Sequence, residues 1–402
     1  MTVRSEQETA FDPVDPAFLE NPYPCYERLR AAGPIVRLGP TQWLAARHAQ
    51  VARLLRDTRL RNEWPESFQA MRLGDGPVKD FLLRLMLYRE DPDHAELRRF
   101  LSGILHATPQ AELRALIAGQ SAGQIRRALA AGRLEVMDDL AFPVPLAVAC
   151  QLIGVPDEDQ QMVGQWGTEV IKSFTVTLPA EDRPAVNAAI ESLRHYFREW
   201  LRAAGGQRAP AGIAALADAA RLGTYSEDEL VDNVIFLLVS GFTTTVHMIA
   251  TVCAILLEHQ EAVAQLRADR SLLASAVEEC LRYDAPLQHV SRLVSEAIDV
   301  EGQRIRPGRV VHLLLGSANH DSDQFPAPER LDIRRSPNPH VSFGSGPHAC
   351  LGASIGRLEV ITLLDCLLDA CAVFEPDGPA VRRPMQVFRT YERIPARVAV
   401  AG

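Results

Sequence analysis

Apolar residues recur every three or four positions along most of this chain, which is the pattern of a helix with one buried face. The pattern predicts ten helices, at residues 22–31, 48–56, 94–104, 111–129, 139–153, 182–203, 227–257, 262–268, 273–283 and 351–371. Strand-like runs are short, at residues 35–38, 42–45, 291–294 and 310–315. Because these runs lie far apart in the chain, they are expected to gather into one small mixed sheet. The predicted fold class is therefore mainly α with a small β region.

The longest apolar run, residues 234–257, contains no Asp, Glu, Lys or Arg. It is long enough to cross a bilayer, which takes about 20 apolar residues. It also contains Ser240, Thr243 and His247, and it has no aromatic belt or basic flank. We therefore interpret it as a buried central helix. Ser226 and Glu229 have the spacing of a capping box, which places the start of this helix near residue 227.

With 402 residues and 47% hydrophobic content, the chain is long enough for more than one domain. The best candidate for a break, residues 202–220, is short and is flanked by helical patterns, so we interpret it as a surface connection. A single domain over residues 1–402 is predicted.

The formal net charge of −9 argues against a nucleic-acid partner, which needs a basic surface. The seven cysteines are an odd number without a paired CxxC spacing, as expected in a reducing compartment. Residues 1–16 are polar and lack the apolar core of a signal peptide. These features predict a cytoplasmic protein without a membrane partner.

A glycine-rich decapeptide, residues 343–352, surrounds Cys350. Glycines are needed where a backbone turns with positive φ or passes close to a flat group. A helix starting near Leu351 would direct its N-terminal end at the sulfur, and that end favours an anion such as a thiolate. Cys350 is then a candidate soft metal ligand. The alternative is that Cys350 is a small buried apolar residue in a turn.

The order Phe-Gly-x-Gly-x-His-x-Cys-x-Gly resembles the haem-binding loop of the cytochrome P450 family. The resemblance implies the P450 fold, with haem b between the central long helix and the helix after the cysteine loop. Cys350 would be the axial ligand of the iron, and Phe343, Gly344 and Gly352 would lie against the cofactor. A thiolate ligand favours cleavage of the O–O bond, so the resemblance implies O2 chemistry rather than O2 transport.

Two arginine-containing segments resemble structural motifs of the same family. Glu279 and Arg282 match its Glu-x-x-Arg motif, and the segment Pro-Glu-Arg-Leu at residues 328–331 resembles its companion. The resemblance implies a buried network of Glu279, Arg282 and Arg330 behind the cysteine loop. Leu331 stands where the family usually has Phe. Without the family context, Glu279 and Arg282 would be an ordinary i,i+3 surface pair.

Four further residues occupy positions at which the family binds the haem propionates. His94 and Arg98 form a His-x-x-x-Arg pair on one helical face, Arg292 lies in a predicted strand, and His348 lies in the cysteine loop. Buried propionates require cationic or hydrogen-bonding partners, which these side chains would supply.

The central helix carries a segment, residues 240–245, that resembles the oxygen-binding signature of the family. Gly241 would leave room for oxygen by loosening the helix, and Thr244 would offer its hydroxyl to the oxygen or to a water. Thr243 replaces the usual acid, and a threonine hydroxyl cannot act as a general acid near neutral pH. The proton route stays open among a water chain across Thr243 and Thr244, a substrate group and His247. The threonines alternatively only bond back to preceding carbonyls.

Substrate contacts are the least specific part of the pattern. Positions corresponding to substrate-facing residues of the family are Leu287, Val290, Phe388 and Phe242. The resemblance implies a monooxygenase that hydroxylates or epoxidises a small organic molecule in natural-product biosynthesis. Electrons from NAD(P)H would arrive through ferredoxin and ferredoxin reductase, and the protein would be a monomer.

Three other interpretations stay open at this point. The missing acid is compatible with an enzyme that uses peroxide, or that rearranges or dehydrates its substrate. A non-catalytic haem protein that docks onto a biosynthetic partner is another. A zinc site through His348 and Cys350 is the weakest, because no second ligand pair lies nearby in the sequence.

Overall fold

The computed structural model of the protein describes residues 11–12, 15–175, 177–203, 211–385 and 387–400. The described chain divides into two compact units whose segments alternate along the sequence. The first unit comprises Met1–Asn62, Glu278–Cys350 and Arg382–Thr390, and the second comprises Glu63–Val277, Leu351–Val381 and Tyr391–Gly402. Most of residues 1–16, which lack the apolar core of a signal peptide, lie outside the described residues.

Within the described residues the α-helices, in chain order, are α1 Pro16–Glu20, α2 Tyr23–Ala32, α3 His48–Leu54, α4 Glu66–Leu73, α5 Pro77–Arg84, α6 Asp93–Leu105, α7 Gln110–Ala131, α8 Pro143–Leu152, α9 Gln160–Val170, α10 Arg183–Ala203, α11 Ala211–Leu222, α12 Glu227–Glu258, α13 Gln260–Ala268, α14 Leu273–Tyr283, α15 Leu315–Ala318 and α16 Ala353–Ala370. The strands are β1 Val36–Arg37, β2 Gln42–Ala45, β3 Leu60–Arg61, β4 Arg133–Glu135, β5 His289–Val294, β6 Ile298–Val300, β7 Gln303–Ile305, β8 Val310–Leu314, β9 Cys371–Pro376, β10 Val381–Arg383, β11 Thr390–Arg393 and β12 Pro395–Val400.

The first unit is built around a five-stranded sheet with the order β1-β2-β8-β5-β3. Strands β2 and β8 are parallel and the other pairs are antiparallel, so the sheet is mixed, as predicted. Its apolar side chains pack with those of α3 in one buried cluster that includes Val51, Val311 and Leu313. The register pairs Arg292 of β5 with Val311 of β8, which fixes the position of a predicted propionate ligand.

The second unit is helical and surrounds α12, which contacts α8, α9, α10 and α16. A three-stranded sheet with the order β4-β12-β9 lies in the same unit. The sequence pattern did not predict this sheet, in which β4 and β9 follow almost directly after helices α7 and α16. It also missed α1, α4, α5, α9, α11 and α15, and α11 occupies about half of the segment expected to be a surface connection. Residues 204–210 of that segment lie outside the described residues.

The central helix α12 begins where the capping signal predicts, because the Ser226 hydroxyl accepts a hydrogen bond from the Glu229 N–H at 3.2 Å. Glu229 pairs with Arg89. Among the described residues α12 is the one helix long and apolar enough to cross a membrane, but 78% of its most apolar window is buried inside the protein. This burial agrees with a core helix.

Candidate functional site

Cys350 lies at the end of a tight loop in the first unit. Its N–H donates to the Phe343 carbonyl at 2.9 Å, and the Gly344 N–H donates to the Val341 carbonyl at 2.8 Å. Helix α16 begins three residues after the cysteine, with Gly352 at the N-cap. The sequence placed the helix start two residues earlier.

Two glycines of this loop have conformations that side chains disfavour. Gly344 has a φ of 68° and Gly346 has a φ of 76°. A Cβ added at Gly346 would lie 2.6 Å from the Leu55 carbonyl oxygen, so this glycine permits a close backbone approach. Gly352 is different, since its φ is −88° and an added Cβ would meet no heavy atom within 4 Å. Its missing side chain is therefore not required by a close contact within the described residues.

The seven cysteines differ sharply in accessibility. Cys350 is exposed, Cys366 is half-buried and the other five are buried. Burial raises the pKa of Cys150 to about 12 and that of Cys253 to about 12, so these thiols stay protonated. Cys350 is thus the cysteine whose sulfur an external group can reach without rearrangement of the core.

Helix α12 carries a narrow accessible stripe in the second unit. Between Leu230 and Leu257 every residue is buried except Ser240, Gly241, Thr244 and His247. Their spacing puts them on one helical face, with Thr244 near its centre. A Cβ added at Gly241 would meet only the Ala149 Cβ, at 3.9 Å, so there is room beside this residue. A core helix that leaves such a stripe uncovered fits a ligand or cofactor on that side.

The hydroxyls of residues 240–245 all bond back to the preceding turn. Thr243 donates to the Val239 carbonyl at 2.6 Å, Thr244 to the Ser240 carbonyl at 2.7 Å, and Thr245 to the Gly241 carbonyl at 2.8 Å. The threonines therefore do bond back to preceding carbonyls, which is the alternative to an oxygen-binding role that the sequence left open. Each hydroxyl nevertheless keeps lone pairs that can accept a hydrogen bond. Helix α12 is continuous through Gly241. The expected loosening is not observed, and the room comes from the missing side chain.

The predicted propionate partners are divided between the two units. In the second unit His94 is buried in the first turn of α6, 3.4 Å from the Asp91 carboxylate, and Arg98 lies one turn further along. In the first unit Arg292 is buried and donates to the Ser291 carbonyl at 2.9 Å and to the Asn62 side chain at 3.4 Å. His348 is half-buried within the cysteine loop.

The buried charge network contains Glu279 and Arg282, as predicted, but its third side chain is Arg335. Arg282 donates to both Glu279 oxygens, at 2.8 and 2.9 Å, and both side chains are fully buried. The Arg335 Nε atom donates to the same carboxylate at 3.0 Å.

The prediction for Arg330 was wrong. This arginine contributes only its backbone carbonyl, which accepts from Arg282 at 3.3 Å, and its side chain is exposed. The chain turns after residue 330, so that the Asp332 N–H and the Asn338 side chain also donate to Glu279, at 2.9 and 3.2 Å. Sequence spacing does not distinguish Arg330 from Arg335, because both are arginines in a polar segment.

Of the predicted substrate residues, Leu287 and Phe388 are paired in an isolated antiparallel bridge in the first unit. Val290 is half-buried in β5. Phe242 was predicted wrongly. It is fully buried and its ring packs against Phe142 with ring centroids 5.8 Å apart. At about 100° per residue it lies on the face of α12 opposite the accessible stripe.

The described residues fit a haem better than a metal held by protein ligands alone. No group of three or more His, Cys, Asp or Glu side chains that could hold a metal ion occurs among them. A single accessible thiol suits a metal whose remaining ligands come from a planar cofactor. The open space beside Gly241, on the accessible stripe of α12, is compatible with that cofactor. A zinc site at His348 and Cys350 would therefore lack further protein ligands among the described residues.

Sequence reasoning also missed Glu359, which lies in α16 one turn beyond Gly356. Its carboxyl is buried, and its Oε2 atom has no hydrogen-bond partner among the described residues. Burial raises the pKa of Glu359 well above the usual value. A Cβ added at Gly356 would lie 3.7 Å from the Thr245 hydroxyl, so this region of α16 packs against α12.

Replacing Glu359 with glutamine should remove a destabilisation that grows with pH. Above the ordinary carboxyl pKa of 4.5 the unfolded chain releases this proton and the folded chain keeps it, so rising pH favours unfolding. Relative to Glu359→Gln, the wild type should lose up to about 1.4 kcal/mol of unfolding free energy per pH unit above that value. Urea unfolding at several pH values measures this difference. Parallel pH profiles of the two proteins would contradict it, and exposed Glu329→Gln is the control.

Comparison with known proteins identifies the family. A family model described as cytochrome P450 matches residues 170–388. The biotin biosynthesis cytochrome P450 of Bacillus subtilis (strain 168) is 33% identical over 382 residues, covering 94% of this chain and 96% of that protein. The cytochrome P450 monooxygenase PikC of Streptomyces venezuelae is 32% identical over 396 residues, covering 94% and 92%.

The solved structures agree with the sequence comparisons. The crystal structure of P450BioI in complex with hexadec-9Z-enoic acid ligated acyl carrier protein has a TM-score of 0.88 and 33% identity, over 95% of this chain and 100% of that chain. The prediction of a mainly helical P450 fold is confirmed. This chain belongs to the cytochrome P450 family, as a monooxygenase that uses haem b, O2 and electrons from redox partners.

Proposed function

We propose that the protein inserts one oxygen atom from O2 into a small organic substrate, by hydroxylation or epoxidation, during natural-product biosynthesis. The observation that carries this proposal is the exposed Cys350 in its glycine loop, just before the N-terminal end of α16. A helix N-terminus that follows directly after a cysteine would favour an anionic ligand there. The biosynthetic relative in Bacillus subtilis supports the assignment to biosynthesis.

The residues predicted to bind the haem have defined tasks in this proposal. Cys350 would hold the haem iron, and His94, Arg98, Arg292 and His348 would neutralise or hydrogen-bond the two propionates. Phe343, Gly344 and Gly352 would lie against the porphyrin. Bound haem would supply the activation of O2. The protein's contribution is to orient the cofactor and to exclude bulk water.

The accessible stripe of α12 would serve the oxygen side of the reaction. Gly241 would leave space for O2, and the Thr244 hydroxyl would accept a hydrogen bond from a water while it donates to the Ser240 carbonyl. Thr243 is mostly buried at the edge of the stripe and would hold a water rather than release a proton. Proton delivery would then run through ordered water, a substrate group or His247.

Replacing Thr244 with alanine should uncouple O2 consumption from product formation, because the water that this hydroxyl orients would lose its anchor. We expect product formed per O2 consumed to fall by at least about tenfold. This corresponds to a change of ~1.4 kcal/mol or more in the difference between the activation free energies of product formation and of unproductive O2 consumption. The oxygen electrode and product chromatography give the two rates. The matched control is Thr245→Ala, which loses the same back-bond on a buried face of α12. Equal coupling in the wild type and Thr244→Ala would refute the role.

The remaining properties follow from the same proposal. Electrons from NAD(P)H would arrive through ferredoxin and ferredoxin reductase, and the protein would act as a cytoplasmic monomer with its 402 residues forming one functional domain. A carrier-bound acyl chain is the second candidate form of substrate, because P450BioI was crystallised with acyl carrier protein bearing a fatty acid.

Product analysis with isotopically labelled O2 tests the reaction. Oxygen insertion places one labelled atom in the product and the other in water. A product that carries label only when labelled peroxide is supplied would support the peroxide alternative. An unlabelled product would support rearrangement or dehydration. The spectrum of the reduced carbon monoxide adduct separately reports whether a thiolate ligates the iron.

A further inference from the structure

A buried carboxylate in the first unit, Asp284, binds two chain segments that are far apart in the sequence. It is 3% exposed. Its Oδ1 atom accepts from the Tyr23 hydroxyl at 2.6 Å and from the Arg389 Nε atom at 2.6 Å, and its Oδ2 atom accepts from Arg382 at 3.0 Å. Burial alone would raise the pKa of Asp284, but Arg389 and Arg382 outweigh it and hold that pKa below its usual value. The group is therefore an anion at neutral pH.

Arg389 extends this cluster to the N-terminal helices. Its Nη1 atom donates to the carbonyls of Leu19 and Glu20, both at 3.2 Å, at the end of α1. Its guanidinium also lies over the Tyr23 ring, 5.7 Å from the ring centroid. The Asp284 carboxylate thus ties α1 and the start of α2 to the chain around residue 389.

The same stretch of chain carries Phe388, which was predicted to contact substrate. The Arg389 N–H donates to the Pro286 carbonyl at 2.8 Å, and the Gln288 N–H donates to the Val387 carbonyl at 2.9 Å. These two bonds enclose the bridge between Leu287 and Phe388. We call residues 387–389 the Phe388 strap.

The chain opposite the Phe388 strap is itself rigidly held. The Gln288 side chain accepts from the Tyr26 hydroxyl at 2.9 Å and donates to the Ala285 carbonyl at 2.6 Å. A Cβ added at Gly316 would lie 2.4 Å from the Gln288 Oε1 atom, so Gln288 is packed directly against the backbone of α15. Leu287 therefore has a fixed backbone, and two backbone bonds and the Asp284 cluster hold the strap against it.

We propose that Asp284 is a positioning residue for the substrate site, which holds Phe388 against Leu287 through Arg389 and Tyr23. The inference rests on the proposed function, because it takes Leu287 and Phe388 as part of the substrate wall. It makes the N-terminal helices α1 and α2 indirect determinants of substrate fit. A strap fixed in advance spares a bulky ligand the entropy cost of ordering that wall.

Binding of two azoles to the haem-loaded enzyme, followed through the Soret band, tests the proposal. Imidazole reaches only the iron, whereas clotrimazole also fills the space around it. In Asp284→Asn the new amide would direct donors at Arg382, Arg389 or Tyr23, so the strap loosens. We expect clotrimazole to bind about tenfold more weakly, with imidazole affinity unchanged within about twofold. Hydrogen exchange at the Arg389 amide should accelerate at least about tenfold.

Asp321→Asn is the matched control, because Asp321 is a buried carboxylate of the same unit that accepts the His48 N–H at 2.8 Å and does not contact the strap. Tyr23→Phe removes one bond from the cluster and should give a smaller change of the same kind, which covers the case of a poorly folded Asp284→Asn. Equal weakening of both azoles, no weakening, or the same selective loss in Asp321→Asn would overturn the proposal. Failure of imidazole to shift the wild-type Soret band would instead refute the proposed haem site.

Discussion

Replacing Cys350 with serine is expected to reduce monooxygenase turnover at least about a thousandfold, which corresponds to ~4 kcal/mol of activation free energy. Serine has the same shape, but its hydroxyl stays protonated near neutral pH and is a poor ligand for haem iron. The variant keeps the backbone N–H bond to Phe343 and the two positive-φ glycines, so the loop itself should survive. Loss of activity would then report the ligand and not the fold.

The measurement combines steady-state turnover with the spectrum of the reduced carbon monoxide adduct. Cys366→Ser is the matched control. Cys366 is half-buried and lies within α16, whereas Cys350 precedes the start of that helix. Wild-type turnover in Cys350→Ser would remove the basis of the proposed function. So would an unchanged carbon monoxide spectrum.

Replacing Arg335 with alanine is expected to lower the unfolding free energy by about 1.5 to 3 kcal/mol, because the buried Glu279 carboxylate would lose one charged hydrogen-bond partner while Arg282 remains paired with it. The same change at Arg330 should cost less than about 0.5 kcal/mol, since that side chain is exposed and only its backbone carbonyl is used. The two arginines lie five positions apart in one segment, and they form a natural pair for comparison.

Urea unfolding of both variants, with and without bound haem, gives the two free energies. Equal losses in Arg330→Ala and Arg335→Ala would contradict the assignment of Arg335 to the network. A larger loss in Arg330→Ala would restore the interpretation based on the sequence motif. Arg335→Lys should recover only part of the stability, because one ammonium cannot reproduce the bonds that Arg335 also makes to the Pro326 and Ala327 carbonyls.

The sequence predicted well those features that depend on local periodicity. Helix α12 and its N-cap follow from an uncharged run preceded by Ser226, and α14 begins and ends at the predicted residues. The four strands predicted for the mixed sheet also form. In these cases burial of one face and a capping residue decide the structure, and both are visible in the order of residues.

Features that depend on three-dimensional context could not be predicted in this way. A turn after residue 330 decides that Arg335 and not Arg330 pairs with Glu279. The position of Phe242 around the axis of α12 decides that its side chain is buried. Asp284 and Glu359 have no local signal, because their environments come from segments distant in the chain. A buried cluster of this kind becomes visible only when the partners of each polar atom are known.

The strand order of the first unit also constrains how the protein is made on the ribosome. Strand β2 pairs in parallel with β8, through partners such as Gln42 and Val310. At about 5–20 residues per second, synthesis of the intervening chain takes on the order of tens of seconds, during which the edge of β2 that β8 will cover has no native partner. Lower growth temperatures, and chaperones that shield nascent strand edges, should therefore raise the yield of soluble enzyme more than stronger expression promoters do.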